Sequence, residues 1–232
     1  MLPMSEQTET PQEPANRRPI KSRGMRVFQL LARKLAESSI TPNMISCSSM
    51  VFGFLAGLAM AATSWVTGNT VTSGLLWLVA AAMIQGRLIA NLLDGMVAVE
   101  GGKATDTGEL YNEVPDRVSD TLIFVGAGLA SIGILWLGFA AAVVAVFVAY
   151  VRAIGASVGA GQVFVGPMAK PQRMALMTVV TVLLSGMSFF ESDPSMQKTI
   201  LNTALVVIVV LGLFTAIRRL NLIGNSMREN AR

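Results

Sequence analysis

Long apolar stretches dominate the sequence from residue 42 onwards, and they restrict the fold more than any other feature does. Six of these stretches are close to the roughly 20 residues that an α-helix needs to cross a lipid bilayer. They cover residues 42–65, 72–99, 108–132, 133–158, 171–190 and 199–217. The first is preceded by Thr41-Pro42, a typical start signal of a helix. The sequence therefore predicts an all-α integral membrane protein with six transmembrane helices.

Composition supports the membrane setting and excludes several kinds of site. Hydrophobic residues make up 53% of the chain and charged residues 14%, whereas about 25% of the residues in soluble domains are charged. The chain has no histidine, and Cys47 is its single cysteine. A disulfide framework, a histidine-ligated zinc site and a histidine-dependent catalytic triad are therefore excluded.

The N-terminal 40 residues differ from the rest of the chain. Residues 1–16 are rich in Glu, Gln, Thr and Pro, which predicts a disordered tail. Residues 17–40 combine many basic residues with an apolar stripe that includes Val27, Leu31 and Leu35. This pattern predicts an amphipathic helix at the membrane surface, with its basic face towards anionic headgroups. The alternative is an ordinary solvated basic leader.

Lysine and arginine predict the orientation of the chain. The leader, the 100–107 and 159–173 connections and the C-terminal end carry nearly all of the cations near the membrane ends, whereas the other connections carry none. This alternation places both termini in the cytoplasm, and we expect a bacterial inner membrane. We predict a transmembrane domain over 41–220 and a C-terminal cytoplasmic tail over 221–232. The net charge of +4 reflects topology and anionic lipid, so we expect no nucleic-acid partner.

Polar side chains recur at helical spacing in the second and third apolar stretches. They are Asn91, Asp94, Asn112, Asp116 and Asp120, and Gly108 opens the third stretch. Residues four positions apart share one face of a helix, and two antiparallel neighbouring helices would bring these side chains together near the cytoplasmic surface. Carboxylates at membrane depth are costly and by default mark a functional site.

The chemistry of these side chains indicates a cation. Carboxylate and amide oxygens suit a hard ion such as Mg²⁺, Mn²⁺ or Ca²⁺. Small residues at Gly95, Ala98 and Gly108 leave room for a flat or bulky ligand near the backbone. The alternative is that the polar side chains only join helices to one another. The number that converges at one depth favours a metal or substrate site.

The spacing of these residues resembles the signature of the CDP-alcohol phosphotransferases. That signature reads Asp-x-x-Asp-Gly-x-x-Ala-Arg, eight residues, and then Gly-x-x-x-Asp-x-x-x-Asp. The chain has Asn91-x-x-Asp94-Gly95-x-x-Ala98, and then Gly108-x-x-x-Asn112-x-x-x-Asp116, without a gap. The six spans, the surface helix and the Thr-Pro-Asn that opens the first span are also similar to this family.

Three positions depart from the family pattern. Asn91 and Asn112 replace the first and third Asp, and Val99 replaces the Arg. Asparagine keeps a ligand oxygen but loses the charge, so these changes are expected to weaken the binding of a divalent ion. Asp120, one turn beyond the motif, is expected to restore one charge. Arg87 and Arg117 are the candidates to replace the missing Arg.

The resemblance implies transfer of a phosphatidyl group from a CDP-alcohol, expected to be CDP-diacylglycerol, to an acceptor alcohol, with release of CMP. It implies Asp116 as the base and a Mg²⁺ or Mn²⁺ ion held by the polar residues of the motif. The expected ligands are Asn91, Asp94, Asn112 and Asp116, to which we add Asp120. The small residues Gly95, Ala98 and Gly108 are expected to shape the cytidine pocket, and a homodimer is an expectation of the same resemblance.

Basic residues at the cytoplasmic ends of the last three stretches are candidate acceptor ligands. They are Arg152, Lys170, Arg173, Arg218 and Arg219. Arginine and lysine bind phosphorylated or acidic groups, but the topology also requires cations at these ends. For Glu109 and Glu113, helical spacing predicts another face of the third segment.

Two other functions use the same residues. A small carrier coupled to a cation needs a comparable acidic cluster, but it places that cluster near the bilayer midplane between broken helices. A non-catalytic member of the family is the second alternative, and the two asparagines favour it only if they abolish metal binding.

Overall fold

The computed structural model describes residues 25–66, 68–131, 134–191 and 193–230, which form seven α-helices and no β-strand. The helices are α1 (Arg26–Glu37), α2 (Pro42–Ala62), α3 (Thr70–Val99), α4 (Gly108–Ala130), α5 (Leu135–Ser157), α6 (Lys170–Phe189) and α7 (Pro194–Asn230). The tail predicted over 1–16 and the basic residues of 17–24 lie outside the described residues.

Five of these helices are long and apolar enough to cross a membrane: α2, α3, α5, α6 and α7. Helix α4 has 23 residues but is not one of the five. Its first half carries the charged residues Glu109, Glu113, Asp116, Arg117 and Asp120. The all-helical class is therefore confirmed over the described residues, and the count of six spans stays a prediction.

The C-terminal helix is longer than the sequence predicted. The apolar stretch ends at Ile217, but α7 continues to Asn230 through most of the predicted tail. Its extra turns carry Ile223, which is buried in a small cluster with Val148 and Val151 of α5. This packing stabilises the helical conformation beyond the apolar stretch. The extension was not predicted because the sequence is no longer continuously hydrophobic there.

Two helix starts are fixed by side-chain caps. The hydroxyl of Thr41 accepts a hydrogen bond from the backbone N–H of Met44 at 3.3 Å, and Pro42 opens α2. The side chain of Asn69 likewise accepts from the N–H of Thr72 at 2.9 Å at the start of α3. Both caps satisfy backbone donors that have no partner within the helix.

Helices α2 and α4 contact each other through their backbones. A Cβ atom added at Gly126 would lie 2.2 Å from the carbonyl oxygen of Gly57, and one added at Gly57 would lie 2.3 Å from that of Leu122. Only glycine fits such an approach. The hydroxyl of Ser119 also donates to the carbonyl of Ser49, at 3.1 Å. These contacts fix the position of the polar half of α4.

Helix α1 packs on the end of α3. Its Ala32 is buried in one cluster with Met96 and Val97, whereas Val27 and Leu30 on α1 are exposed. The ammonium of Lys103 donates to the carbonyls of Ser38 and Ile40, at 2.6 and 3.3 Å. The α3–α4 connection is thereby tied to the link between α1 and α2. The membrane-surface role of α1 stays a prediction.

Candidate functional site

A cavity of about 1080 Å³ opens at one end of the bundle, where α2, α4 and α6 begin and α3 and α5 end. Every helix of the described chain contributes to its wall. Eleven of the predicted site residues line it: Asn91, Asp94, Gly95, Ala98, Gly108, Asn112, Asp116, Arg152, Lys170, Arg173 and Arg219. The other two, Asp120 and Arg218, do not belong to the cavity wall.

Asp94 is held by a neutral donor. It is buried near the end of α3, and the hydroxyl of Ser46 on α2 donates to its Oδ2 at 2.5 Å. Asp94 takes part in none of the ion pairs found among the described residues. No sequence motif indicated Ser46. Because Asp94 lines the cavity and has no cation in direct contact, its charge remains available to a ligand.

Asp116 is surrounded by donors from two helices. The Nη2 atom of Arg87 lies 3.2 Å from Oδ1, and the amide of Asn91 donates to the same oxygen. The ammonium of Lys170, at the start of α6, donates to Oδ2. Both carboxylate oxygens therefore already have partners, and two of those partners are cations.

Asp120 lies one turn deeper and forms a buried ion network. The Nη2 atom of Arg87 is 2.6 Å from its Oδ1, and the Nη2 atom of Arg173 is 2.9 Å from its Oδ2. Arg173 also donates to the carbonyl of Met168 at 3.0 Å. Asp120 and Arg87 are fully buried. Because two guanidinium groups neutralise Asp120 outside the cavity, we do not include it in the proposed metal ligands.

Glu113 lines the cavity, as does Glu109, although helical spacing predicted another face for both. Glu113 accepts from Arg117 at 2.6 Å and from Arg152 of α5. The guanidinium carbon of Arg152 also lies 5.5 Å from the ring centroid of Phe164, a favourable cation–π distance. Arg87 and Arg117 were the two candidates to replace the missing Arg of the signature. Of these, Arg117 lines the cavity, whereas Arg87 is buried and does not.

Of the two candidate arginines in the second half of α7, one lines the cavity. Arg218 is exposed, whereas Arg219 is buried and lines the cavity. Arg219 donates to the carbonyls of Val165 and Val148, at 2.9 and 3.1 Å. Adjacent helix residues point about 100° apart, so the choice between them depends on which face of α7 meets α5.

Two curated proteins are similar to this chain over most of its length. The chain is 28% identical over 168 residues to the archaetidylinositol phosphate synthase of Methanothermobacter thermautotrophicus. The matched region covers 72% of this chain and 77% of that enzyme. It is 24% identical over 201 residues to the phosphatidylinositol phosphate synthase of Cutibacterium acnes, which covers 84% and 91%. No family model matches the sequence.

Solved structures share the fold. The phosphatidylinositol phosphate synthase PgsA1 of Mycobacterium tuberculosis with CDP-DAG bound matches with a TM-score of 0.69 at 18% identity, over 86% of this chain and 94% of that one. The same synthase in complex with manganese and citrate matches with a TM-score of 0.66 at 18% identity, over 84% and 88%.

These similarities support the resemblance of the chain to the CDP-alcohol phosphotransferases. The lack of a family-model match is consistent with the departures in its signature at Asn91, Val99 and Asn112. The resemblance that the sequence showed is thus confirmed, including its degenerate motif.

The oxygen donors at this cavity are of the types that bind a divalent ion. Among the described residues, no group of three or more His, Cys, Asp or Glu side chains is arranged to hold a metal. The motif supplies the carboxylates of Asp94 and Asp116 and the amides of Asn91 and Asn112 at one cavity. These are the ligand types of Mg²⁺ and Mn²⁺. Asp94 is the carboxylate of this set that takes part in none of the ion pairs of the described residues.

Proposed function

We propose that this protein transfers a phosphatidyl group from a CDP-alcohol, expected to be CDP-diacylglycerol, to an acceptor alcohol with release of CMP. The observation that carries the proposal is the meeting of both halves of the signature at one cavity. Asn91 and Asp94 reach it from α3, and Asn112 and Asp116 reach it from α4. The related synthase with CDP-DAG bound supports the choice of donor.

The donor is proposed to lie along the α3–α4 side of the cavity. Gly95, Ala98 and Gly108 line this side, and a Cβ atom at Gly108 would meet only the hydroxyl of Thr105, at 3.5 Å. That open space suits the nucleotide. Asp94, with Asn91 and Asn112, would hold the divalent ion. A bound Mg²⁺ or Mn²⁺ ion would neutralise the pyrophosphate and stabilise the charge that develops on the leaving group.

Asp116 is proposed to accept the proton of the attacking hydroxyl. The hydroxyl oxygen forms a bond to the phosphorus that carries the diacylglycerol. The bond from that phosphorus to the bridging oxygen breaks, and CMP leaves with this oxygen. Because Lys170 donates to Oδ2 of Asp116, its ammonium must move before that oxygen takes a proton. Phosphate oxygens of the donor would give it another partner.

The acceptor is proposed to be a phosphorylated alcohol of the inositol phosphate class. This proposal is supported by the names of the two relatives and by cations that line the α5–α7 side of the cavity: Arg152, Lys170, Arg173 and Arg219. Guanidinium groups bind phosphate with two parallel hydrogen bonds. Arg218 is exposed and outside the cavity wall, so we leave it out of this set.

The proposed setting is a bacterial inner membrane, with the cavity and both termini on the cytoplasmic side. Helices α2 to α7 would cross the bilayer, and α1 would lie at its surface with Val27 and Leu30 towards lipid. The charged half of α4 is compatible with a span because Asp116 and Asp120 have cationic partners. A homodimer remains an expectation of the family resemblance.

The direct test supplies the purified protein with CDP-diacylglycerol, Mg²⁺ or Mn²⁺ and a panel of acceptors, and measures CMP. The panel contains an inositol phosphate, glycerol phosphate, free inositol and serine. We expect CMP release that requires the divalent ion and is fastest with a phosphorylated acceptor. No release with any acceptor would reject the proposal and favour a carrier or a non-catalytic protein.

A further inference from the structure

The charge at the cavity differs from the charge that the family signature provides. The signature has four Asp, whereas this chain keeps two of them, Asp94 and Asp116. Four carboxylates balance the charge of two divalent ions, and two carboxylates balance one. The charge of the motif residues alone therefore balances a single divalent ion.

One of the two remaining carboxylates already has cations of the protein beside it. The ammonium of Lys170 and the guanidinium of Arg87 both contact Asp116. Arg87 is fully buried and shared with Asp120, whereas the side chain of Lys170 is 23% exposed and lines the cavity. Lys170 is thus the cation at Asp116 that a ligand in the cavity can reach.

Asp94 provides the contrast. It receives the hydroxyl of Ser46 and belongs to none of the ion pairs of the described chain. A divalent ion at Asp94 meets a carboxylate with no cation of the described residues in ion-pair contact, whereas an ion at Asp116 must compete with the ammonium group that contacts it. At short range an ammonium group repels a divalent ion, and this repulsion is stronger near a protein surface than in bulk water.

We propose that Lys170 is a resident cation of the donor-binding site. At Asp116, its ammonium group occupies the place that a second divalent ion would take. The protein then binds one divalent ion, at Asp94. When the donor binds, Lys170 neutralises the side of the pyrophosphate that this ion does not reach. Lys170 is then a positioning residue of the donor site as well as a candidate acceptor ligand. The role of Lys170 at the pyrophosphate rests on the proposed function, whereas the number of bound divalent ions does not.

The test counts Mn²⁺ ions on the purified protein without substrate, by equilibrium dialysis and by the electron paramagnetic resonance signal of free Mn²⁺. We expect one Mn²⁺ per wild-type chain. Lys170→Met frees Asp116 and is expected to tighten Mn²⁺ binding by at least about tenfold. Lys170→Met combined with Asn91→Asp and Asn112→Asp is expected to bind two ions. Lys170→Arg keeps the positive charge and is expected to bind one ion.

Lys198→Met is the matched control. Lys198 is exposed near the start of α7 and lies outside the wall of this cavity, so its removal is expected to leave Mn²⁺ binding unchanged. Two ions on the wild-type chain would overturn the inference, and so would unchanged affinity in a folded Lys170→Met variant. If Lys170→Met does not fold, the double variant Asn91→Asp with Asn112→Asp provides the test. Its two added carboxylates are expected to raise the affinity for Mn²⁺ if the negative charge of the site limits binding, and an unchanged affinity would overturn the inference.

CMP release, measured in parallel, separates this inference from the proposed function. One Mn²⁺ per chain without CMP release rejects the proposed reaction and supports the single-ion site. CMP release by a chain that carries two Mn²⁺ ions supports the reaction and overturns the role of Lys170.

Discussion

Two aspartates that the sequence predicted as metal ligands, Asp94 on α3 and Asp120 on α4, lie in opposite environments. Asp94 lines the cavity and is held by the neutral hydroxyl of Ser46. Asp120 lies outside the cavity wall between the guanidinium groups of Arg87 and Arg173. The charge of Asp94 is therefore available to a ligand, whereas that of Asp120 is already neutralised. Residue type and helical spacing do not distinguish these two roles, but the partners on neighbouring helices do.

Asp116 connects the two regions. Its Oδ1 accepts from Arg87, which also contacts Asp120, and its Oδ2 accepts from Lys170 at the cavity. The buried network therefore positions the carboxylate that we propose as the base. Substitutions in one region that leave the other intact therefore separate the two roles.

The largest expected effect on activity is that of Asp116→Asn. The amide keeps the size of the side chain and a hydrogen-bond acceptor for Arg87, but it cannot take a proton. General-base catalysis contributes about 10²–10⁴-fold to a rate, so CMP release is expected to fall by that factor while the melting temperature stays close to that of the wild type. An activity within tenfold of the wild type would remove Asp116 from the role of base.

The largest expected effect on stability is that of Asp120→Ala. It leaves Arg87 and Arg173 buried without their shared counter-ion, and breaking a buried pair costs about 3–5 kcal/mol. Unfolding in detergent, followed by circular dichroism, measures the loss. A variant that is as stable as the wild type but inactive would place Asp120 in the reactive site instead.

A smaller loss of stability is expected for Gly126→Val. The added side chain would clash with the carbonyl of Gly57 on α2, and overpacking of this kind costs about 1–3 kcal/mol. Gly186→Val on α6 is the control, because a Cβ atom there meets nothing within 4 Å. Equal melting temperatures for the two variants would contradict the close contact of α2 with α4.

The smallest expected effect is that of Thr41→Ala. This change removes the cap that accepts the N–H of Met44, and the loss of an N-cap costs about 1 kcal/mol. The same unfolding assay applies, with Thr41→Ser as the variant that keeps the cap. The account of this helix start fails if Thr41→Ser loses as much stability as Thr41→Ala.

The sequence predicted the helices well because hydrophobicity and start signals are local. Thr41-Pro42 marks the first residue of α2, and the apolar stretch over 72–99 matches α3 to within two residues. The end of α7 was not predicted, because burial of Ile223 on α5 is a contact between helices.

The sequence predicted that most of the candidate residues lie together, but it did not predict their pairing. Asp94, Asn112 and Asp116 line one cavity, as their spacing indicated, whereas Asp120 does not line it. The pairing of Lys170 with Asp116, and of Glu113 with Arg152, joins residues more than 35 positions apart. Such pairs depend on the packing of helices, and a helical period within one segment carries no information about them.

The most direct test of the difference between the two aspartates compares CMP release by Asp94→Asn and Asp120→Asn, each normalised to folded protein. We expect the rate of CMP release by Asp94→Asn to fall by at least about 100-fold, because a bound metal ion contributes several kcal/mol to such a reaction. We expect folded Asp120→Asn to stay within about tenfold of the wild type, since Asp120 gives electrostatic support to a buried network. The reverse order, with Asp94→Asn active and folded Asp120→Asn inactive, would contradict the account.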